Sequence, residues 1–227
     1  MNTNGNDDLA LARLLQLVSP SLPIGSYSYS QGIEWAVEAG WINNANDLEL
    51  WLDGLIHSNM LYLELPLLKR MMVAWAGADE NTIQHWSEYL LASRETAELR
   101  LEEINRGRAF YQILSSLDDT VGGTDKTLFK TQLACFSYAC QSWQISFDRA
   151  ACGLLWSWLE NLVLSAVKII PLGQTDGQTL IFKLSSLIPQ LVDQANNIVD
   201  DDIGASSMAL AIASAQHESQ YSRLFRS

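Results

Sequence analysis

Ala150-Ala151-Cys152-Gly153-Leu154-Leu155-Trp156-Ser157-Trp158-Leu159-Glu160-Asn161-Leu162-Val163-Leu164-Ser165-Ala166-Val167-Lys168-Ile169-Ile170-Pro171-Leu172 is the most apolar stretch of the chain. It is long enough for a bilayer, but Glu160, Asn161 and Lys168 interrupt it, and such groups are costly in lipid. It therefore reads as the buried core of a helix spanning Ser146 to Ile170. Outward from it, runs of Val, Ile and Thr alternating with period two are scarce, whereas helical periodicity bounded by capping residues recurs throughout. The expected fold is all-α, a single-domain bundle of about nine or ten helices with an extended C-terminal tail.

The caps divide the chain. Leu9, Leu14, Leu15, Leu17 and Val18 predict a first helix ending at Ser19-Pro20, after a flexible polar N-terminus over residues 1–8. Ser28 and Gln31 have capping-box spacing for a short helix ending near Gly40, and Asn46 with Glu49 repeats that signature. The helix that follows is expected to pass His57 and to kink or restart at Pro66, since proline lacks the helical donor and clashes with the preceding turn. Asp79 caps the next helix. In the charged stretch Arg94 to Arg108, Arg94–Glu98 and Glu102–Arg106 are i,i+4 pairs, with Ala97, Leu101, Ile104 and Leu114 as the apolar stripe. Gly122-Gly123 is a break, but composition is alike on both sides, so residues 1–227 form one domain. Thr124 to Trp143 reads as a helix. Thr175 with Gln178 opens another, running toward Asn196, and Asp200-Asp201-Asp202 precedes the last.

Composition narrows the function. Of 227 residues, 48% are hydrophobic and 18% charged, and 26 acids against 14 bases give a formal charge of −12. No basic stripe exists to neutralise phosphates, which argues against nucleic-acid binding. The sign suits a basic partner or a metal-handling assembly, or simply solubility. Eight tryptophans is a high number for this length, and exposed aromatic area marks contact surfaces. The N-terminus lacks an apolar signal region, so a cytoplasmic protein without a membrane segment is expected. Cys135, Cys140 and Cys152 contain no CxxC pair and read as small buried hydrophobes in helices. Phosphate-binding, dinucleotide, serine-hydrolase and zinc-protease signatures are missing. His57, His85 and His217 are scattered and read as structural or surface residues. His217-Glu218 offers either an exposed metal ligand or a helix-end histidine on the dipole; the second is adopted. No catalytic residue, metal site or cofactor is assigned.

Several segments look made for contact. Tyr221-Ser222-Arg223-Leu224-Phe225-Arg226-Ser227 interleaves arginine with aromatic and aliphatic groups, the side chains that dominate binding hot spots. Read as a helix, it places Tyr221, Leu224 and Phe225 on one face, which either docks on a partner or folds back on its own domain. Asn161, Ser165 and Lys168 form a narrow polar stripe; Lys168 either snorkels to the surface or faces a partner. The turn from Pro171 to Gln178, including Gln174, either presents main-chain groups to another molecule or merely joins two helices. Leu22 to Gly32 sets Tyr27 and Tyr29 among serines, a composition typical of adaptable contact surfaces. Glu34 is expected to be exposed at a helix start.

Four segments in order resemble the UreF family of urease accessory proteins: Leu22 to Glu34; Glu95 to Gly107 with Glu98, Arg100, Glu102 and Glu103; Ala166 to Gln174 and on through Gly177-Gln178; and His217 to Ser227. One departure is Ser214-Ala215-Gln216 before His217, where many members carry a methionine and an arginine. The resemblance implies an all-helical, non-enzymatic and dimeric adaptor. It implies that this adaptor bridges a UreD/UreH-type accessory protein and the nickel-carrying GTPase UreG, so that nickel reaches apo-urease. It further implies a tail over 218–227 that orders on the UreD-type partner, and a role for Lys168 in the fidelity of activation. The partner-binding residues expected on these grounds are Tyr27, Tyr29, Gln31, Glu34, Lys168, Gln174, His217, Glu218, Tyr221, Arg223, Leu224, Phe225 and Arg226. The alternative is a GTPase-activating protein supplying an arginine finger from Arg94, Arg100, Arg106, Arg108, Arg223 or Arg226. Most of the central arginines have a carboxylate one helical turn away, which ranks the scaffold first.

Overall fold

A computed structural model of the chain describes residues 3–226. These residues form α-helices, a π-helical segment and short 3-10 turns, and no β-strand. The α-helices are α1 Thr3–Leu17, α2 Ile33–Glu38, α3 Ala45–Leu55, α4 Leu65–Ala76, α5 Glu80–Ala92, α6 Ala97–Leu117, α7 Gln132–Ser142, α8 Phe147–Val167, α9 Gln174–Ser185, α10 Ile188–Asn196 and α11 Met208–His217. The chain is all-α, and α3 and α4 are the two ends of one rod.

Pro66 shapes that rod. Between α3 and α4 the backbone widens into a π-helix, Ile56–Glu64. Pro66 then occupies the first turn of α4, where a missing N–H costs least. The proline leaves the carbonyl of Tyr62, four residues earlier, without its ladder donor. Gly204 N–H takes that place at 2.9 Å. The proline thus anchors the loop leading into α11, which the Tyr89 hydroxyl also fastens by donating to the Ile203 carbonyl at 2.6 Å. A kink or restart was expected here; the helix instead continues by changing its hydrogen-bond register.

α4 lies deepest, with Leu65, Leu67, Leu68 and Met71 fully buried, and packs on α5 and α7. α6 crosses α7, and α8 is flanked by α9, α10 and α4. By length and composition α8 could cross a membrane. Yet between Ala150 and Val167 only Cys152 is exposed, as the core-helix reading requires. Cys135 and Cys140 are buried in α7, where burial raises both thiol pKa values. Cys152 is a correction: it points outward.

Other expectations shift. Residues 3–8, expected to be flexible, are the first turns of α1, and Asp7 pairs with Arg149 at 3.1 Å; Met1 and Asn2 lie outside the described residues. α3 is capped by Asn44, whose side chain accepts from Asn46 and Asp47 N–H, not by Asn46. Asp79 caps α5 as expected. The helix expected to run from Thr175 to Asn196 breaks at Ser186-Leu187 into α9 and α10. The stripe on α6 is Leu99, Phe110 and Leu114, whereas Leu101 is exposed.

Arg94 precedes α6, so it cannot form an i,i+4 pair with Glu98. It bridges Glu64 at 2.5 Å and Glu103 at 2.8 Å, with all three side chains largely buried. Burial raises the Glu64 pKa, against the pull of Arg94. For Arg94, burial works against the charge, but Glu64 and Glu103 outweigh it and its pKa is raised. Glu102–Arg106 forms as expected, at 2.9 Å.

α6 and α7 meet at Gly107. A Cβ there would lie 2.8 Å from the Lys130 carbonyl oxygen and 2.8 Å from the Thr131 carbonyl carbon. Both obstacles are backbone, so neither can swing aside. Gly107→Ala is expected to destabilise the protein by about 1–3 kcal/mol through overpacking. Gly54→Ala, on an open face of α3 with nothing within 4 Å, is expected to stabilise it by about 0.5–1 kcal/mol. Urea denaturation of the two variants should therefore move the midpoint in opposite directions.

Candidate functional site

The site is built where α2 and the turn before it meet α11 and the C-terminal segment. Gln31 and Gly32 both have positive φ, 49° and 79°, and turn the chain into α2. Gly32 also needs its missing side chain: a Cβ would sit 3.1 Å from that of Ala213 on α11. α2 and α11 therefore touch, which brings Glu34 against His217.

Glu34 is 8% exposed, against the expectation of an exposed residue. Its carboxylate accepts from the N–H of Leu224 at 2.6 Å and from the N–H of Phe225 at 2.9 Å. His217 Nε2 lies 3.3 Å from the same carboxylate, and Nδ1 lies 2.7 Å from Glu98. His217 has no exposed surface, so it is not an exposed metal ligand; it is the last residue of α11, at the helix end as expected, but buried. The imidazole thus sits between two carboxylates, one at each ring nitrogen. Arg223 reaches the second oxygen of Glu98 at 2.6 Å.

Further contacts hold the segment after α11. Glu218 accepts from the N–H groups of Ala97 and Glu98 at 3.1 and 3.2 Å, filling the unsatisfied first turn of α6. Thr96 and Ser214 share a hydroxyl hydrogen bond of 2.7 Å, and Gln220 donates to Glu38. Arg226 N–H donates to the Ser28 carbonyl at 2.7 Å. Lys168 Nζ stands 5.6 Å from the rings of both Tyr27 and Phe225, a cation–π position over each. Burial and then the Glu160 carboxylate raise the Tyr27 pKa.

The tail folds back, and not as a helix. Tyr221, Leu224 and Phe225 do not share a face: Phe225 is 5% exposed, whereas Leu224 is 62% exposed and Tyr221 fully so. Ser227 lies outside the described residues.

Of the expected partner-binding residues, the structure gathers Tyr27, Glu34, Lys168, His217, Glu218 and the tail. Tyr29 is buried. Gln31 is occupied inside, donating to Glu102 at 2.9 Å and accepting from Trp158 at 3.0 Å. Gln174 is exposed at the start of α9 and makes no hydrogen bond to the tail among the described residues. The Asn161–Ser165 part of the polar stripe is buried, with the Ser165 hydroxyl turned onto the Asn161 carbonyl at 2.8 Å. Sequence reasoning missed Glu98 and Thr96 as parts of the site. Thr96 caps α6, and that capping position is the local signal available for it. Among the described residues no group of three or more His, Cys, Asp or Glu side chains is placed to hold a metal ion.

The fold and site thus define an all-helical protein with a folded-back tail anchored by carboxylates. The model of the UreF family matches residues 42–185. A urease accessory protein UreF of Alcanivorax borkumensis is 50% identical, covering 96% of this chain and 98% of its own length. Those of Pseudomonas putida W619 and Alkalilimnicola ehrlichii are 43% and 41% identical, each over at least 98% of this chain and 100% of their own. The chain belongs to the UreF family.

Glu34→Ala removes the common acceptor of two tail amides and a histidine. The tail should then fray, and trypsin should cut after Arg223 at least about tenfold faster than in the parent, because proteolysis follows the population of the open form. Mass spectrometry of timed digests reads this directly. Glu34→Gln, which keeps an acceptor oxygen, should fall between the two.

Proposed function

We propose that this protein is a non-enzymatic adaptor in urease maturation. In this reading it bridges a UreD/UreH-type accessory protein and the UreG GTPase so that nickel is delivered to apo-urease, and it works as a homodimer in the cytoplasm. Support comes from family membership and from relatives that carry the name of urease accessory protein. The observation that carries the reading is the tail. Its backbone is clamped by Glu34 while Tyr221 and Leu224 project outward, an aromatic and an aliphatic side chain held ready for contact. Presenting side chains on a preorganised backbone lowers the entropic cost of association. No bond-making step is required of any residue.

The arginine-finger alternative has narrowed candidates. Arg94, Arg106 and Arg223 are held by carboxylates, and Arg100 donates to the Arg94 carbonyl at 2.6 Å. Arg108 and Arg226 are exposed and in no ion pair among the described residues.

Tyr221→Ala with Leu224→Ala should abolish co-purification with the UreD/UreH-type protein while changing stability by less than about 0.5 kcal/mol, as for exposed positions generally. Undiminished capture would refute the adaptor reading of the tail. Arg108→Ala and Arg226→Ala should leave GTP hydrolysis in the assembled complex within about twofold; a finger would cost 10³-fold or more.

A further inference from the structure

Away from the tail, α5, α6 and the 3-10 turn Lys126–Phe129 enclose a cleft of about 650 Å³. That volume lies within the range of small-molecule sites. Its floor is carbon: Ile104, Tyr111 and Phe129 line it, the last two with ring centroids 5.2 Å apart. Its rim is cationic: Arg108, Lys126 and Lys130 all line it.

Such a rim is unexpected in a chain with 14 bases against 26 acids. Elsewhere most basic side chains are held by carboxylates or carbonyls. Among the described residues none of these three is in an ion pair; Lys126 stands 5.5 Å over the Tyr111 ring. The one acid lining the cleft is Glu88, which accepts from Gln84 at 2.9 Å. Three positive charges thus face one negative. Ser87, 2% exposed, also lines the cleft, and its hydroxyl has no partner among the described residues. A buried hydroxyl left unpaired carries a free-energy penalty that a ligand can relieve.

Gly107 assembles the rim. Because it lacks a Cβ, the Lys130 backbone comes against α6, one residue from Arg108. The close backbone contact at Gly107 therefore also sets Lys130 and Arg108 on the lining of the same cleft.

We propose that this cleft is a binding site for a small organic anion with a planar apolar body. The aromatic floor takes the body, Arg108 and Lys130 take the anionic group, and the Ser87 hydroxyl donates to or accepts from a polar atom of the ligand. An inorganic anion fills only the rim, and a neutral arene fills only the floor.

The test titrates the full-length protein with 1-naphthyl phosphate, followed by calorimetry and ligand-observed NMR, with 1-naphthol and inorganic phosphate as the separate halves. The expected result is saturable one-site binding, with each half at least fivefold weaker. Arg108→Glu and Lys130→Glu, both at exposed positions outside any ion pair, should weaken binding at least fivefold with an unchanged melting temperature. If either charge reversal perturbs folding, Arg108→Ala and Lys130→Ala carry the same criterion. No saturable binding up to millimolar probe, a loss of less than fivefold, or inorganic phosphate binding as tightly as the aryl phosphate would each overturn the proposal.

Discussion

A buried carboxylate organises the C-terminal segment of this molecule. Glu34 lies in the first turn of a short helix and is almost wholly removed from water. A carboxylate so placed must find donors inside the protein or suffer a large desolvation cost. Its partners come from nearly two hundred residues away: two main-chain N–H groups of the tail, which donate to it, and the imidazole of His217 beside it. Hydrogen bonds to a charged group contribute about 1.5–3 kcal/mol each. The need of Glu34 for partners and the need of the tail for a fixed path are met by the same contacts. Glu98 repeats the arrangement, taking His217 on one oxygen and Arg223 on the other.

How much of this was legible depended on sequence distance. Helical class followed from local periodicity, and the core reading of α8 from three polar interruptions weighed against a bilayer. The break expected at Pro66 is a change of hydrogen-bond register in a continuous helix, whereas the cap at Asp79 and the break around Pro20 are local chemistry and were readable. The π-segment was not, because its register change depends on Gly204 supplying a donor from another loop. At the site, the tail, Lys168 and the Tyr27 segment were singled out by composition and by family resemblance. The exposure of Glu34 was misjudged because a first-turn acid ordinarily faces solvent beside the dipole. Nothing within a few residues of it reports that α11 passes 3.1 Å from the Cβ position of Gly32. Likewise the apolar face read into the tail assumed a helix, whereas Glu34 draws the chain out and separates Leu224 from Phe225.

Two groups of basic residues contrast. One is inside and spoken for: Arg94 between Glu64 and Glu103, and Arg106 on Glu102. Breaking such a pair from one side leaves a buried charge uncompensated, which typically costs about 3–5 kcal/mol. The other group sits on the α5–α6 cleft, where Arg108, Lys126 and Lys130 are in no ion pair among the described residues and the lining acid Glu88 accepts from Gln84. An acidic protein that pairs its interior cations so thoroughly leaves little positive potential elsewhere, so a cluster of unpaired cations stands out against the surrounding field.

Glu34 grips main-chain amides of the tail and ignores the side chains at those two residues. Every residue but proline supplies an amide, so position 224 could carry almost any letter without loosening the clasp. The fold thereby separates the path of the tail from the side chains along it: residue 34 sets where the backbone lies, and in the proposed adaptor reading the outward-facing letters at 221 and 224 can be rewritten for a different recipient.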